Sequence, residues 1–145
     1  MKLHGNGSGV LTVTYITTPL IVMGNFVANK LSQIMSYYFS TSLTTCSFAE
    51  AIEIATQALK AAGFGVLHQI DMQHTLQEKI GAHIGGYVIL AACQPHHAYE
   101  ALQHEPMIGL MLPCNVVVAD QQNGAITVAA IDPIASMAAV ENEAL

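Results

Sequence analysis

A mixed fold of strands and helices in the order β-α-β-α-β-α-β-β-α is predicted by three observations. Ser47-Phe48-Ala49-Glu50 is a capping box followed by apolar residues at helical spacing. Short β-branched or wholly apolar runs stand between the helical patterns. Near the end, Asn123-Gly124 separates two such runs and marks a chain reversal. No internal repeat or low-complexity tract interrupts the order.

Each element has a local reason. Tyr37 to Thr44 is aromatic and β-branched and reads as a strand. The helix after Ser47 carries Phe48, Ala51, Ile52, Ala55, Leu59 and Ala62 on one side, with Glu50, Glu53, Gln57 and Lys60 mostly on the other. Gly63 stops it, because glycine takes the left-handed turn without strain. Gly65 to Met72 is a short strand, and Thr75-Leu76-Gln77-Glu78 reads as a second capping box, opening a short helix that ends at Gly81. Tyr87 to Ala92 is almost wholly apolar, as expected of a strand buried on both faces. Pro95 starts a helix with Ala98, Ala101 and Leu102 inward, ending near Glu105-Pro106. Cys114 to Val118 and Ala125 to Ile131 are strands joined by the turn at Asp120 to Gly124, and Asp132-Pro133 caps a last short helix.

Composition bounds the function. At 145 residues the chain is long enough for one domain with its own core. Hydrophobic residues make up 52% and charged residues 10%, against about 25% charged in typical soluble domains, which excludes intrinsic disorder. Four Lys/Arg against ten Asp/Glu give a net charge of −6. A nucleic-acid backbone binder needs a basic stripe, so no nucleic-acid partner is expected. Three cysteines do not make a disulfide scaffold.

Residues 1–34 differ from the domain expected over residues 35–145. They contain no acid, and Val10 to Met23 is apolar and Thr-rich, interrupted by Pro19. Three readings stand. Thr18 and Pro19 can open a helix with Leu20, Met23, Val27, Leu31 and Ile34 on one face. Alternatively the segment is an export signal or an anchor, touching a membrane if residues 10–31 insert. In the third reading it is a loose tail ahead of an alternative start at Met35. Gly5-Asn6-Gly7-Ser8-Gly9 lacks the ending of a phosphate-binding loop and reads as a flexible tail. The signal-peptide features are poor, so the cytoplasm and reduced thiols are expected.

Several words of the sequence resemble a known family. They are Gly63-Phe64-Gly65-Val66-Leu67 with Ile70-Asp71, Lys79-Ile80-Gly81, Tyr87-Val88-Ile89-Leu90, Cys93-Gln94-Pro95, Ile108-Gly109-Leu110-Met111-Leu112-Pro113-Cys114-Asn115-Val116-Val117-Val118, and Ile131-Asp132-Pro133. Over roughly Ser36 to Ala144 the chain resembles the domain of unknown function 302 family, DUF302. The resemblance implies an α+β domain of the TATA-binding-protein-like type, with a curved antiparallel sheet, helices packed on one face, and often a homodimer. It implies no activity and no DNA binding, because fold is not function. The chain departs from the family in three places. Ala91-Ala92-Cys93-Gln94-Pro95 stands where members have Gly-Ala-Cys-Asn-Pro, Gln69 stands where members usually carry an acid, and the usual long C-terminal helix is not seen before Leu145. The apolar helix read at Pro19–Ile34 is expected to cover the sheet surface which that helix would otherwise cover.

One constellation carries chemistry. Cys93 ends the apolar strand just before a helix, where positive partial charge favours thiolate. His96 and His97 fall in the first turn of that helix, where the dipole favours neutral imidazole, the metal-binding form. Cys114 starts another strand. Cys93, His96, His97 and Cys114 together would form a soft nitrogen and sulfur set suited to zinc, copper or haem iron. The competing structural reading makes the cysteines small hydrophobes, Asn115 a turn residue and the histidines solvated. Cys93, Pro95, Cys114 and Asn115 are the expected lining of a ligand pocket. No catalytic set stands out, so the reading leans towards a binding or assembly domain, homodimeric, rather than an enzyme. A redox or sulfur-carrying thiol pair is the alternative. Asp71 is read as a cap rather than as an acid–base partner of His68, since the two face opposite sides of a strand. His74 and His83 join the same weak polar group. Met107 and Met111 are expected in the core or at a dimer contact, and Cys46 as an incidental half-exposed thiol.

Overall fold

The computed structural model describes residues 2–6 and 10–14 as backbone, and residues 37–140 and 142 in full. Strands β1 (Lys2–Asn6) and β2 (Val10–Thr14) form an antiparallel pair, with Asn6 opposite Val10. This corrects one expectation: Gly5 and Asn6 belong to a strand rather than a flexible tail. The helix read at Pro19–Ile34 lies outside the described residues.

The domain proper is one antiparallel sheet. Its strands are β3 (Tyr38–Leu43), β4 (Gly65–Asp71), β5 (Tyr87–Cys93), β6 (Cys114–Asp120) and β7 (Ile126–Ile131), in the spatial order β3-β7-β6-β5-β4. The class is therefore α+β, as the resemblance implies. Helix α1 (Phe48–Ala61) connects β3 to β4, the two edges of the sheet. It buries Ala51, Ala55 and Leu59 at i, i+4 and i+8 against Val88, Leu90, Val116, Val118 and Val128. The alanines let the helix axis approach the sheet, and the strand residues alternate so that every second side chain faces the helix. Leu90 and Val118 are fully buried.

The start and stop of α1 follow the sequence signals. Ser47 Oγ accepts the Glu50 amide at 3.3 Å, and Glu50 Oε2 accepts the Ser47 amide at 2.7 Å. The Ser47 amide, and after it the Ser47 hydroxyl, which also donates to Glu50 Oε2 at 2.7 Å, hold the Glu50 carboxyl below its ordinary range. At the other end Gly63 has φ +83°. Its amide donates to the Lys60 carbonyl, and the Phe64 amide donates to the Leu59 carbonyl at 2.9 Å. This is a Schellman stop, and it turns Phe64 back onto the core.

The second helix, α2 (Met72–Ile80), corrects an expectation. It starts directly after β4, and Asp71 rather than Thr75 is its cap: Asp71 Oδ1 accepts the His74 amide at 2.8 Å. The Thr75 hydroxyl donates to the Asp71 carbonyl at 2.6 Å instead, from inside the helix. An aspartate one turn earlier had already satisfied the first free amides. Helix α3 (Pro95–His104) and a 3-10 turn (Pro106–Met111) link β5 to β6, and α4 (Pro133–Met137) follows β7. Asp132 caps α4 through the Ile134 amide at 2.9 Å. One inward assignment fails in this region: Leu102 is exposed. Met107 is exposed as well, which places it outside the core, and Ile108 is the residue the 3-10 turn buries. The tighter 3-10 winding places side chains every third residue on one line and rotates Met107 out. Among the described residues, no helix is long and apolar enough to cross a membrane.

Candidate functional site

The antiparallel register brings one set of strand ends together. Gly65 pairs with Cys93, Ala92 with Cys114, and Val116 with Ala130. The start of β4, the end of β5, the start of β6 and the end of β7 therefore share one end of the sheet. A cavity of about 430 Å³ opens there. Ala92, Cys93 and Cys114 line it from the strand ends, together with Phe64, Leu112, Pro133 and Met137. Helix α3 closes the remaining side with Ala98 and Ala101, and sets His97, Glu100 and His104 at the rim. Its volume is in the range of small-ligand sites, and its lining combines apolar walls with a few polar groups.

Local sequence explains each position. Gln94 is the N-cap of α3, with its side-chain oxygen accepting the His97 amide at 2.7 Å. Capping fixes His97 one turn above Cys93. Residues 97, 100, 101 and 104 recur at helical spacing and so share the cavity-facing side. His97 Nδ1 lies 3.8 Å from Glu100 Oε2, with both side chains 71% exposed. Asn142 donates to the His104 carbonyl at 3.1 Å and ties the end of the described chain to α3.

The expected site residues divide. Cys93, Cys114 and His97 line the cavity, as does Gln94. Pro95, His96 and Asn115 do not. His96 is exposed one position round the helix from His97, a rotation of about 100°. Asn115 is exposed and, one residue beyond Cys114, points to the opposite face of β6. The four-residue ligand set therefore does not assemble. Among the described residues, no three histidine, cysteine or acidic side chains meet to hold a metal. His68, Asp71, His74 and His83 are all exposed, and His68 pairs with Ala91 while Asp71 pairs with Val88, on opposite faces. The contributions of Phe64, Met137 and His104 were not visible in sequence; only the return of β7 to this end, after the Asn123-Gly124 turn, could have hinted at Met137.

The thiols differ in surroundings. Burial, and secondarily the nearby Cys93, pushes the Cys114 thiol above its ordinary range. Cys46, half-buried against the core, is raised by burial and by Glu50. Cys114 is expected to alkylate only well above about pH 8.5, the value of a free thiol, and Cys93→Ser should move its profile to lower pH by removing a like charge. Mass-resolved labelling across pH checks both; a Cys114 profile at or below that of free cysteine contradicts them. The linkage has the corresponding sign. A raised folded value favours the fold below the unfolded thiol pKa, and that contribution is lost as pH rises through the folded value.

The comparisons agree with this architecture. The model of the family "Domain of unknown function DUF302" matches residues 39–145. Among solved structures, the crystal structure of an uncharacterized conserved DUF302 protein from Bacillus stearothermophilus is similar, with a TM-score of 0.64 and 32% identity over 70% of this chain and 78% of that one. No curated protein matches. With a family match over most of the chain and a similar solved fold, the protein belongs to the DUF302 family.

Proposed function

We propose that this is a small binding domain, not an enzyme, whose ligand enters the cavity at the end of the sheet and meets Cys93 and Cys114 in its lining. The observation that carries the reading is that two cysteines far apart in the chain line one open cavity with His97. A purely structural pair of thiols would be sealed in the core, whereas both are only partly buried. Binding is favoured over thiol redox catalysis because the Cys114 thiol is shifted away from thiolate, which weakens it as a nucleophile.

A homodimer fits the same reading. Tyr99, Leu102, Met107 and Leu110 leave large apolar side chains in water along α3 and the 3-10 turn, and exposed apolar surface of this kind marks association sites. Native mass spectrometry of freshly purified protein tests both parts. The expected result is a dimer mass carrying a ligand that is lost in Ala101→Phe, which fills the cavity. A bare chain mass overturns the binding reading, and a monomer at micromolar concentration overturns the assembly.

A further inference from the structure

Resting on the assembly reading, we propose that a second copy of this chain seats on the face of the sheet opposite α1, about a two-fold axis that runs parallel to the strands over β6. Among the described residues, α1 is the helix that lies along β4, β5, β6 and β7, while α2 meets only β5 of these strands. Helix α1 covers the face of Val88, Leu90, Val116 and Val118. The register fixes what the other face carries. One row across it is Ile70, Ile89, Val117, Ala129 and Ser40, and the next is Tyr87, Ala119, Thr127 and Ser42. No Asp, Glu, Lys or Arg stands on this face of the five strands, although the chain has a net charge of −6. An antiparallel sheet with one face in water ordinarily sets polar residues there. Here the middle of the face is apolar, and Ile89 and Val117 are only half-buried.

The sizes of the side chains point to the occupant. Strand β6 is the middle one in the order β3-β7-β6-β5-β4. A two-fold parallel to it lays β5 of one copy over β7 of the other and keeps each row opposite itself. Ile89 then meets the partner's Ala129, and Tyr87 meets the partner's Thr127. One pair further along the strands the sizes exchange, and Ala91 meets the partner's Ile131. Each of the three rows sets a large side chain against a small one, with Val117 and Ala119 on the axis. A two-fold across the strands would stack Ile89 on Ile89 and Ala129 on Ala129, a clash beside a void. Such an isologous contact closes at two copies. Stacked sheets lie about 10 Å apart with their strands within about 30° of one another, a gap these side chains fill. Five strands at about 4.8 Å spacing, each about six residues of about 3.4 Å, give a footprint of roughly 500 Å² per copy. The pair then covers about 1,000 Å², the area at which specific interfaces begin.

The test is size-exclusion chromatography with light scattering on the full chain over a micromolar concentration series. A dimer is expected for the wild type. Val117→Asp brings two like charges together on the axis and should raise the dissociation constant by about 100-fold. Ala129→Ile should raise it by about 10-fold, because the added methylenes meet the partner's Ile89. Adding Ile89→Ala to the same chain should restore the dimer, an exchange that works only about this axis. These residues face away from α1, so circular dichroism should not change; if Val117→Asp unfolds, the Ala129 and Ile89 exchange carries the test. A double variant no tighter than Ala129→Ile overturns the axis. A dimer kept in Val117→Asp but lost in Leu110→Ser overturns the sheet face and leaves the assembly reading on the patch of α3 and the 3-10 turn. A monomeric wild type, the outcome if residues 15–36 or another protein cover the face, overturns both.

Discussion

Leu90→Ala is expected to destabilise the domain by about 2–5 kcal/mol, the range for truncating a buried leucine. Leu90 is fully buried on β5, with β4 on one side and β6 on the other, and its side chain belongs to the cluster beneath α1. Two terms add. The lost methylenes forfeit transfer free energy, and the neighbours Val116 and Val118 are held by the ladder and cannot collapse into the space. A loss of that size is a large part of the stability of a small domain, so the denaturant midpoint should fall steeply with little change in slope. Leu90→Met, which keeps the volume, should recover most of it. A cost below about 1 kcal/mol for the alanine variant would place the core elsewhere than under α1.

Gly85→Ala is the second large effect, and it acts through backbone rather than a cavity. A Cβ at Gly85 would lie 2.8 Å from the Asp120 carbonyl oxygen and 3.0 Å from the Gln122 side chain. The glutamine can swing away, but the carbonyl is anchored where β6 ends: the Asp120 amide donates to the Gly86 carbonyl at 2.8 Å. Relief of the clash must therefore shift the entry to β5 or the end of β6, at about 1–3 kcal/mol, the usual range for overpacking. Hydrogen exchange should show the loss as faster exchange at Asp120 and its ladder neighbours. Exchange unchanged there, with stability unchanged, would mean that this approach of β5 to β6 is looser than described. The site at the far end of the sheet should keep its thiol profile.

The fold class, most element boundaries and the family were legible in the sequence because they rest on local causes. The Ser47 box, the Gly63 stop, the apolar run of β5 and the Asn123-Gly124 reversal each act within a few residues. One error was a local rivalry, since Asp71 capped α2 before Thr75 could; another was Leu102, expected inward and left exposed on α3.

The site was legible only in part. The sequence determined that a thiol ends β5 ahead of a helix and that another begins β6. Tertiary structure decided that antiparallel pairing returns both to one end of the sheet, that His97 rather than His96 faces the cavity, that Asn115 turns away, and that Phe64 and Met137 join the lining. Strand register and helix rotation set which neighbour faces a shared space, and both are fixed by burial summed across the whole sheet rather than by any short stretch of chain.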